Sequence, residues 1–297
     1  MRRWSVAALF LLPGSLLIVL FFLLPVVLTL VLSATNLSTT TFSHPSWVGW
    51  GNYQELLQAR FTPLILKNTL KYVILTLFFN VGMGLLLALI TAFLPVRLGD
   101  AFRALWLLPR ITASVVYVLI WQGLAAVAPY GLLSDLTGNS QNWIQQSPWA
   151  VVVLANGVIG ASFGMLLFTS AIRAIPSDLL HAAAVDGATT WQSIYRVVLP
   201  LLRWPILFVS AYQTLSLLTS FEYILLLTNG GPGFYSTEVW SLSAYHQAFS
   251  NYFGNAQFGL GSAMAAVLVV IGVVVSLIYL RVFNFKELLG EPKVEVN

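Results

Sequence analysis

Long apolar runs alternate along this chain with shorter stretches rich in Gly, Pro, Asn and Ser. A helix that crosses a hydrocarbon layer needs about 20 mostly apolar residues. Six runs satisfy that: Val6–Leu32, Leu70–Leu94, Leu105–Val127, Ala150–Ile172, Leu201–Leu227 and Phe258–Phe283. They predict an all-α polytopic membrane protein with six transmembrane helices, one transmembrane domain over residues 1–297. The first run follows Arg2 and Arg3, as a secretory leader would. It is too long for one, and no small-x-small cleavage site precedes Asn36, so it reads as an uncleaved span. Pro13 and Pro25 lie within it and kink it or mark its edges.

Composition excludes most other classes. The chain is 58% hydrophobic and 8% charged, where a soluble domain carries about 25% charged residues. A water-soluble protein of this length cannot cover so much apolar surface, which removes soluble enzymes, nucleic-acid binders and disordered scaffolds. There is no Cys, and His44, His181 and His246 have no metal-ligand spacing. The net charge of +4 comes from basic residues scattered through short loops, a topology signal rather than a nucleic-acid patch. With the N-terminus inside, Arg2, Arg3, Arg97, Arg103, Arg110, Arg173, Arg196, Arg203, Arg281, Lys286 and Lys293 fall on or near the cytoplasmic side. Arg60, Lys67 and Lys71 fall outside, eleven against three of the 14 basic residues. Both termini are therefore expected in the cytoplasm. The outside loops, near 33–69, 128–149 and 228–257, carry Trp47, Trp50, Tyr53, Trp143, Trp149, Trp240 and Tyr252. These read as an aromatic belt at headgroup level, ahead of a sugar-stacking role.

The connector between the fourth and fifth runs, 175–200, is too long for a turn and too polar for a span. Pro176 and Ser177 open a first short helix, with Ser177 as N-cap and Asp178 at its positive end. Asp186-Gly187 breaks it. Thr189 and Gln192 have capping-box spacing for a second helix. Pro200 begins the fifth span, and Leu180, Ala183 and Ala184 share one face. The residues alone leave two readings, a docking element or a linker packed on its own bundle.

This connector resembles the EAA loop of binding-protein-dependent ABC importer permeases, in its carbohydrate-importer form Ala-Ala-x-x-Asp-Gly-Ala. His181, Ala182, Ala183, Asp186, Gly187, Ala188, Leu199 and Pro200 occupy the motif, with His181 where the family carries Glu. A second match is Thr228-Asn229-Gly230-Gly231-Pro232 after the fifth run, similar to a segment of the larger maltose-importer permease type. Weaker echoes are Asn68-Thr69 and Leu108-Pro109. The resemblance implies a type I ABC importer permease fold and half of a translocation pore in a bacterial or archaeal cell (inner) membrane. It implies a second homologous permease subunit, two cytoplasmic ATPase subunits that use ATP and Mg, and an extracytoplasmic sugar-binding protein. It also implies that 175–200 docks into the ATPase. No Gly-x-x-x-x-Gly-Lys-Ser/Thr loop occurs, so the chain is expected to bind no cofactor and hydrolyse no ATP itself.

Substrate contacts are expected from polar residues inside the spans, where such groups are costly and face the interior. Gln213, Ser216 and Ser220 share one face of the fifth run, with Tyr212 and Thr219 on a neighbouring one. Asn156, Gln122, Asn80, Tyr117 and Ser162 are further candidates. Amides, hydroxyls and aromatics suit a neutral polyol, and no span centre carries a cation. The bland reading is that these groups knit helices together. Glu222 lies near the outer end of the fifth run, where it reaches water, docks the binding protein or gates the pore. Gly160 and Gly164 form a Gly-x-x-x-Gly pair for close helix approach, within the bundle or between permeases. The alternatives are a permease for another solute (a polyol phosphate or an amino acid), a secondary transporter and an intramembrane enzyme. The last two need midplane carboxylates or a convergent catalytic set, and neither is evident.

Overall fold

The computed structural model describes residues 2–138, 140–249 and 254–283, with side chains from Phe10 onward. Lys286, Lys293 and Tyr252, and the side chains of Arg2 and Arg3, lie outside the described residues. Four helices are long and apolar enough to cross a membrane, and two bent pairs raise the total to six. The first long helix joins α1 (Arg2–Ile18) to α2 (Leu24–Leu32) through a π turn at Val19–Leu23. Pro25 explains the turn: it lacks an N–H and its ring crowds the carbonyl four residues back, so the ladder widens just before it. The same arrangement recurs at Ile194–Val198, two residues before Pro200.

The chain continues through α3 (Gly51–Gln58), α4 (Thr62–Ala92), α5 (Val96–Ile111), α6 (Ser114–Leu124), α7 (Leu132–Thr137), α8 (Trp143–Gln146) and α9 (Pro148–Arg173). The connector carries α10 (Ser177–Val185) and α11 (Thr190–Ser193), and its π turn leads into α12 (Leu199–Leu201). Then come α13 (Arg203–Thr219), α14 (Glu222–Leu227), α15 (Trp240–Phe249) and α16 (Phe258–Val282).

Three expectations need correction. Residues 105–127 are not one straight span, because α5 and α6 meet at 101°. Pro109 removes a helical bond near the end of α5, and Thr112 and Ala113 turn extended. Residues 201–227 are also divided: α11–α12 meets α13 at 63°, and Ser220-Phe221 separates α13 from α14. Thr219 and Ser220 are weak helix formers whose hydroxyls compete for backbone, and Thr219 Oγ1 donates to Ser216 O at 3.1 Å. Finally, the stretch 228–257 is not all loop, since α15 buries Leu242 and Trp240. Trp240 is therefore a core residue rather than a belt residue, donating Nε1–H to Met264 O at 2.8 Å. Trp47 and Trp50 do stand exposed.

The chain divides into two compact units. One comprises residues 1–65 and 240–271. In it the segment after α2 is tied down by side chains: Asn52 Nδ2 donates to Ser33 O and Thr35 O, each at 2.8 Å, satisfying carbonyls at a helix end. Thr39 N–H donates to Ala256 O at 3.0 Å and Gly259 N–H to Leu37 O at 2.8 Å. No side chain of Phe10–Leu32 is fully buried within the chain, as expected of a helix whose solvent is lipid.

The other unit, residues 66–239 and 272–297, is organised around α9, the most buried of the long helices. Phe168, Ile172, Val198, Leu202 and Val209 form its main cluster with Ala88 of α4. Small residues on α9 let α4 come close: a Cβ on Gly160 would strike the Asn80 side chain, and one on Gly157 would strike Phe79. The Gly-x-x-x-Gly pair is thus used inside the bundle. At one end of these helices Asp100 bonds both Arg103 and Arg173, the latter at 3.1 Å, and Arg103 Nη1 reaches Thr91 O.

The α4–α9 approach yields a test. A Cβ at Gly84 would lie 2.9 Å from Ala161 O and 3.1 Å from the Gly164 Cα. Gly84→Leu should cost about 1–3 kcal/mol through overpacking, read as a lower thermal unfolding midpoint in detergent. Gly82, with nothing within 4 Å, is the control: Gly82→Leu should leave the midpoint unchanged.

Candidate functional site

A cavity of about 300 Å³ opens beside α9 and α13. Five residues expected along a substrate path line it: Asn156, Tyr212, Gln213, Ser216 and Ser220. Both sides of the wall are irregular, since Ser220 sits in the α13–α14 break and Arg110 one residue from the end of α5. Non-helical backbone at membrane depth is tolerated where it lines a cavity or is covered by protein.

The floor is a polar network. Gln213 Nε2 donates to Gly160 O at 3.0 Å, and its amide meets the Asn80 amide at 3.1 Å. Asn156 Nδ2 donates to the Tyr72 hydroxyl at 2.7 Å, and Tyr72 in turn donates to Ser220 Oγ at 3.3 Å. Tyr72 and Asn80 are fully buried. These bonds hold the lining amides in fixed orientations. The wall is aromatic: Phe163 and Tyr212 stack at 4.5 Å between ring centres, and Tyr223 meets Tyr117 edge-on at 6.0 Å. Tyr212 and Ser216 are exposed and face what the cavity holds, whereas Gln213 and Asn156 are buried in the floor.

Other candidates lie elsewhere. Thr219 bonds back onto its own helix. Gln122 Nε2 donates to Leu226 O at 3.1 Å and so joins α6 to α14. Glu222 accepts from Ser114 Oγ, bridging the two broken segments. Tyr117 donates to Ala155 O at 2.7 Å. For these residues the helix-knitting reading describes the geometry. Several lining residues escaped the sequence reading, among them Tyr223, Phe163 and Arg110. The expectation that no span centre carries a cation leaves the break uncovered: Arg110, one residue from the end of α5, brings a cation to the cavity. The Leu-Pro-Arg order was the available signal, because a proline that ends a helix inside an apolar run places its neighbours at a break.

The connector folds nearly as its residues dictate. Ser177 begins α10 but makes no cap bond, and the extended Pro176 holds the N-cap position instead. Gly187 takes φ +77°. Ala188 N–H donates to Ala183 O at 2.9 Å and Gly187 N–H to Ala184 O at 3.1 Å, closing the helix end in a Schellman motif. Thr189 and Gln192 form the capping box, with bonds of 2.8 and 3.3 Å. Leu180, Ile194 and Val198 pack inward. His181, Ala182 and Asp186 are exposed, while Ala183, Ala188 and Leu199 are partly covered and Pro200 is exposed. Val185, Trp191 and Tyr195 stand out at 87%, 74% and 68% exposure. After α14, Thr228-Asn229-Gly230-Gly231-Pro232 closes into a compact turn. Thr237 clamps it through its bonds to Gly231 O at 2.7 Å and Thr228 Oγ1 at 2.8 Å.

An apolar helix bundle with a polar cavity at two broken helices, and an ordered polar connector between long helices, is the build of a transport permease. The family of binding-protein-dependent transport system inner membrane components matches residues 80–285, and the chain belongs to it. It is the transmembrane permease subunit of an ABC importer, without an ATPase site of its own; separate subunits hydrolyse ATP. The trehalose/maltose transport system permease protein MalF of Thermococcus litoralis is 30% identical, over 96% of both chains. The sulfoquinovosyl glycerol transport system permease protein SmoG of Agrobacterium fabrum is 28% identical, over 95% of this chain and 91% of that one. A bacterial ABC transporter involved in alginate import shares the fold at TM-score 0.79 and 24% identity, covering 95% of this chain and 96% of its own.

The capping box gives a local prediction. Thr189→Ala should remove about 1 kcal/mol of helix stability. Hydrogen exchange at the amides of residues 190–193 should then quicken, with α9 amides unaffected.

Proposed function

We propose that the chain is a permease of an ATP-driven sugar importer, and that the cavity beside α9 and α13 lies on the substrate path. The carrying observation is the lining itself: a stacked aromatic wall over fixed amides, with the exposed hydroxyl of Ser216 beside them. Sugars need that combination, a flat face for the ring and directional partners for the hydroxyls. Names among the relatives point the same way, with trehalose/maltose, sulfoquinovosyl glycerol and alginate all carbohydrate-based.

In this reading the chain forms half of the pore. A second permease completes it, two ATPase subunits sit beneath, and an extracytoplasmic binding protein delivers the solute. One solved structure with the same fold is a bacterial alginate transporter in complex with a periplasmic protein. Residues 175–200 transmit ATPase closure to the bundle. The exposed Val185, Trp191 and Tyr195 support a docking role, since apolar side chains of that size at a water-facing surface favour a partner. The basic residues of the loops support cytoplasmic termini. ATP and Mg act in the partner subunits. Glu222, tied to Ser114, is assigned to bracing the break rather than to docking.

Purification from native membranes should bring an ATPase and a second permease with the chain, and a sugar with its binding protein should stimulate ATP hydrolysis in lipid. A chain that emerges without an ATPase, or a complex that no sugar stimulates, overturns the reading. Gly187→Val forces a β-branched residue into a left-handed conformation at a cost of about 1–3 kcal/mol. It should abolish most of the solute-stimulated hydrolysis. Full stimulation in that variant removes the connector from the coupling route.

A further inference from the structure

Arg110 is an exposed positive charge at the cavity, outside the ion pairs seen among the described residues. It comes from an α5 residue next to the α5–α6 break and lines the space together with Tyr212, Gln213, Ser216 and Tyr223. Its guanidinium lies over the Phe163 ring, 5.7 Å from the ring centre, and Nη1 reaches Ser162 Oγ at 3.5 Å. No carboxylate among the described residues pairs with it. The contrast within the molecule is plain: Arg103 and Arg173 share Asp100, and Glu222 beside the other break is held by the Ser114 hydroxyl.

Arg110 is exposed in this chain and borders the cavity, so its charge is open to whatever fills that space. A ring face and one long hydroxyl contact orient the guanidinium but leave most of its five donors open. Those donors form a planar fork that fits two oxygens of a carboxylate, sulfonate or phosphate. The neighbours supply the rest of a recognition set. Phe163 and Tyr212 provide a stacking wall, and Ser216 an accessible hydroxyl.

We propose that the cavity takes an acidic sugar or polyol, with Arg110 gripping its anionic group and the Phe163–Tyr212 wall receiving its ring. The assignment rests on the sugar-importer reading and sharpens it from neutral to anionic solutes. Arg110 is then the residue that sets charge specificity, and the neutral floor of Gln213 and Asn156 serves the hydroxyls.

The test uses the assembled transporter with its binding protein in proteoliposomes. Uptake and stimulated ATP hydrolysis are measured with maltose, trehalose and glucose, and with counterparts bearing a uronate, a sulfonate or a phosphate. The acidic set should be favoured in the wild type, and its best member names the anion. Arg110→Gln should raise the KM for that member about 10- to 100-fold, and Arg110→Lys should restore part of the loss. The ratio of acidic to neutral uptake in the same vesicles separates charge recognition from poor folding, which would lower both together. Stimulation by neutral sugars alone, or an acidic-to-neutral ratio unmoved by Arg110→Gln, overturns the anion assignment while sugar import stands. Stimulation by no member of either set overturns sugar import, and the anion assignment with it.

Discussion

Inside a hydrocarbon layer every backbone N–H and C=O must find a partner within the protein or in enclosed water. A helix there is broken only where something other than lipid meets the freed groups. The chain breaks two apolar runs, at Thr112-Ala113 and at Ser220-Phe221, and residues beside both breaks line one cavity. The site follows from that constraint. The breaks free polar backbone, a cavity is one of the two settings that accommodates it, and the cavity collects the side chains that a solute would meet. Ser114 and Glu222 then tie one broken segment to the other.

The breaks need a stiff frame, and α9 supplies it. Its glycines admit α4 to backbone distance, with Gly84 set against Ala161 O. The same close approach brings Asn80 within reach of Gln213. Packing and polar order are therefore one arrangement: Gly160 leaves room for Asn80 and offers its carbonyl to Gln213. Small residues are the means by which helices in lipid gain contact, since no hydrophobic drive separates them from their solvent. Here they also hold the amides at the cavity floor in place.

Much of this was legible in the residues, and the limits have physical causes. Apolar length alone located the long helices, because a spanning segment has few ways to satisfy its backbone. The connector was readable because its stops are local: Gly187 for a left-handed turn, and Thr189 with Gln192 for a cap. The face shared by Gln213, Ser216 and Ser220 followed from helical period and does line the cavity. Charge counting gave no sign that Arg110 lines the cavity, because the 101° bend that follows it leaves no mark in a count of basic residues. Helix α15 was missed because a ten-residue segment buried in the chain carries no membrane-length signal. Thr219 shares the period but turns its hydroxyl back to Ser216 O, a choice that periodicity does not encode.

The π turn at Ile194–Val198 bears on how the connector is read along its length. A π turn holds one residue more than the α-helix it interrupts, so the faces before and after it are offset by about 100°, the angle of one residue in a helix. Trp191 and the residues of α13 therefore do not follow a single 3.6-residue count. An extra residue is absorbed there while the helix on each side stays intact, next to the segment proposed to meet the ATPase and upstream of the helix that forms the cavity wall.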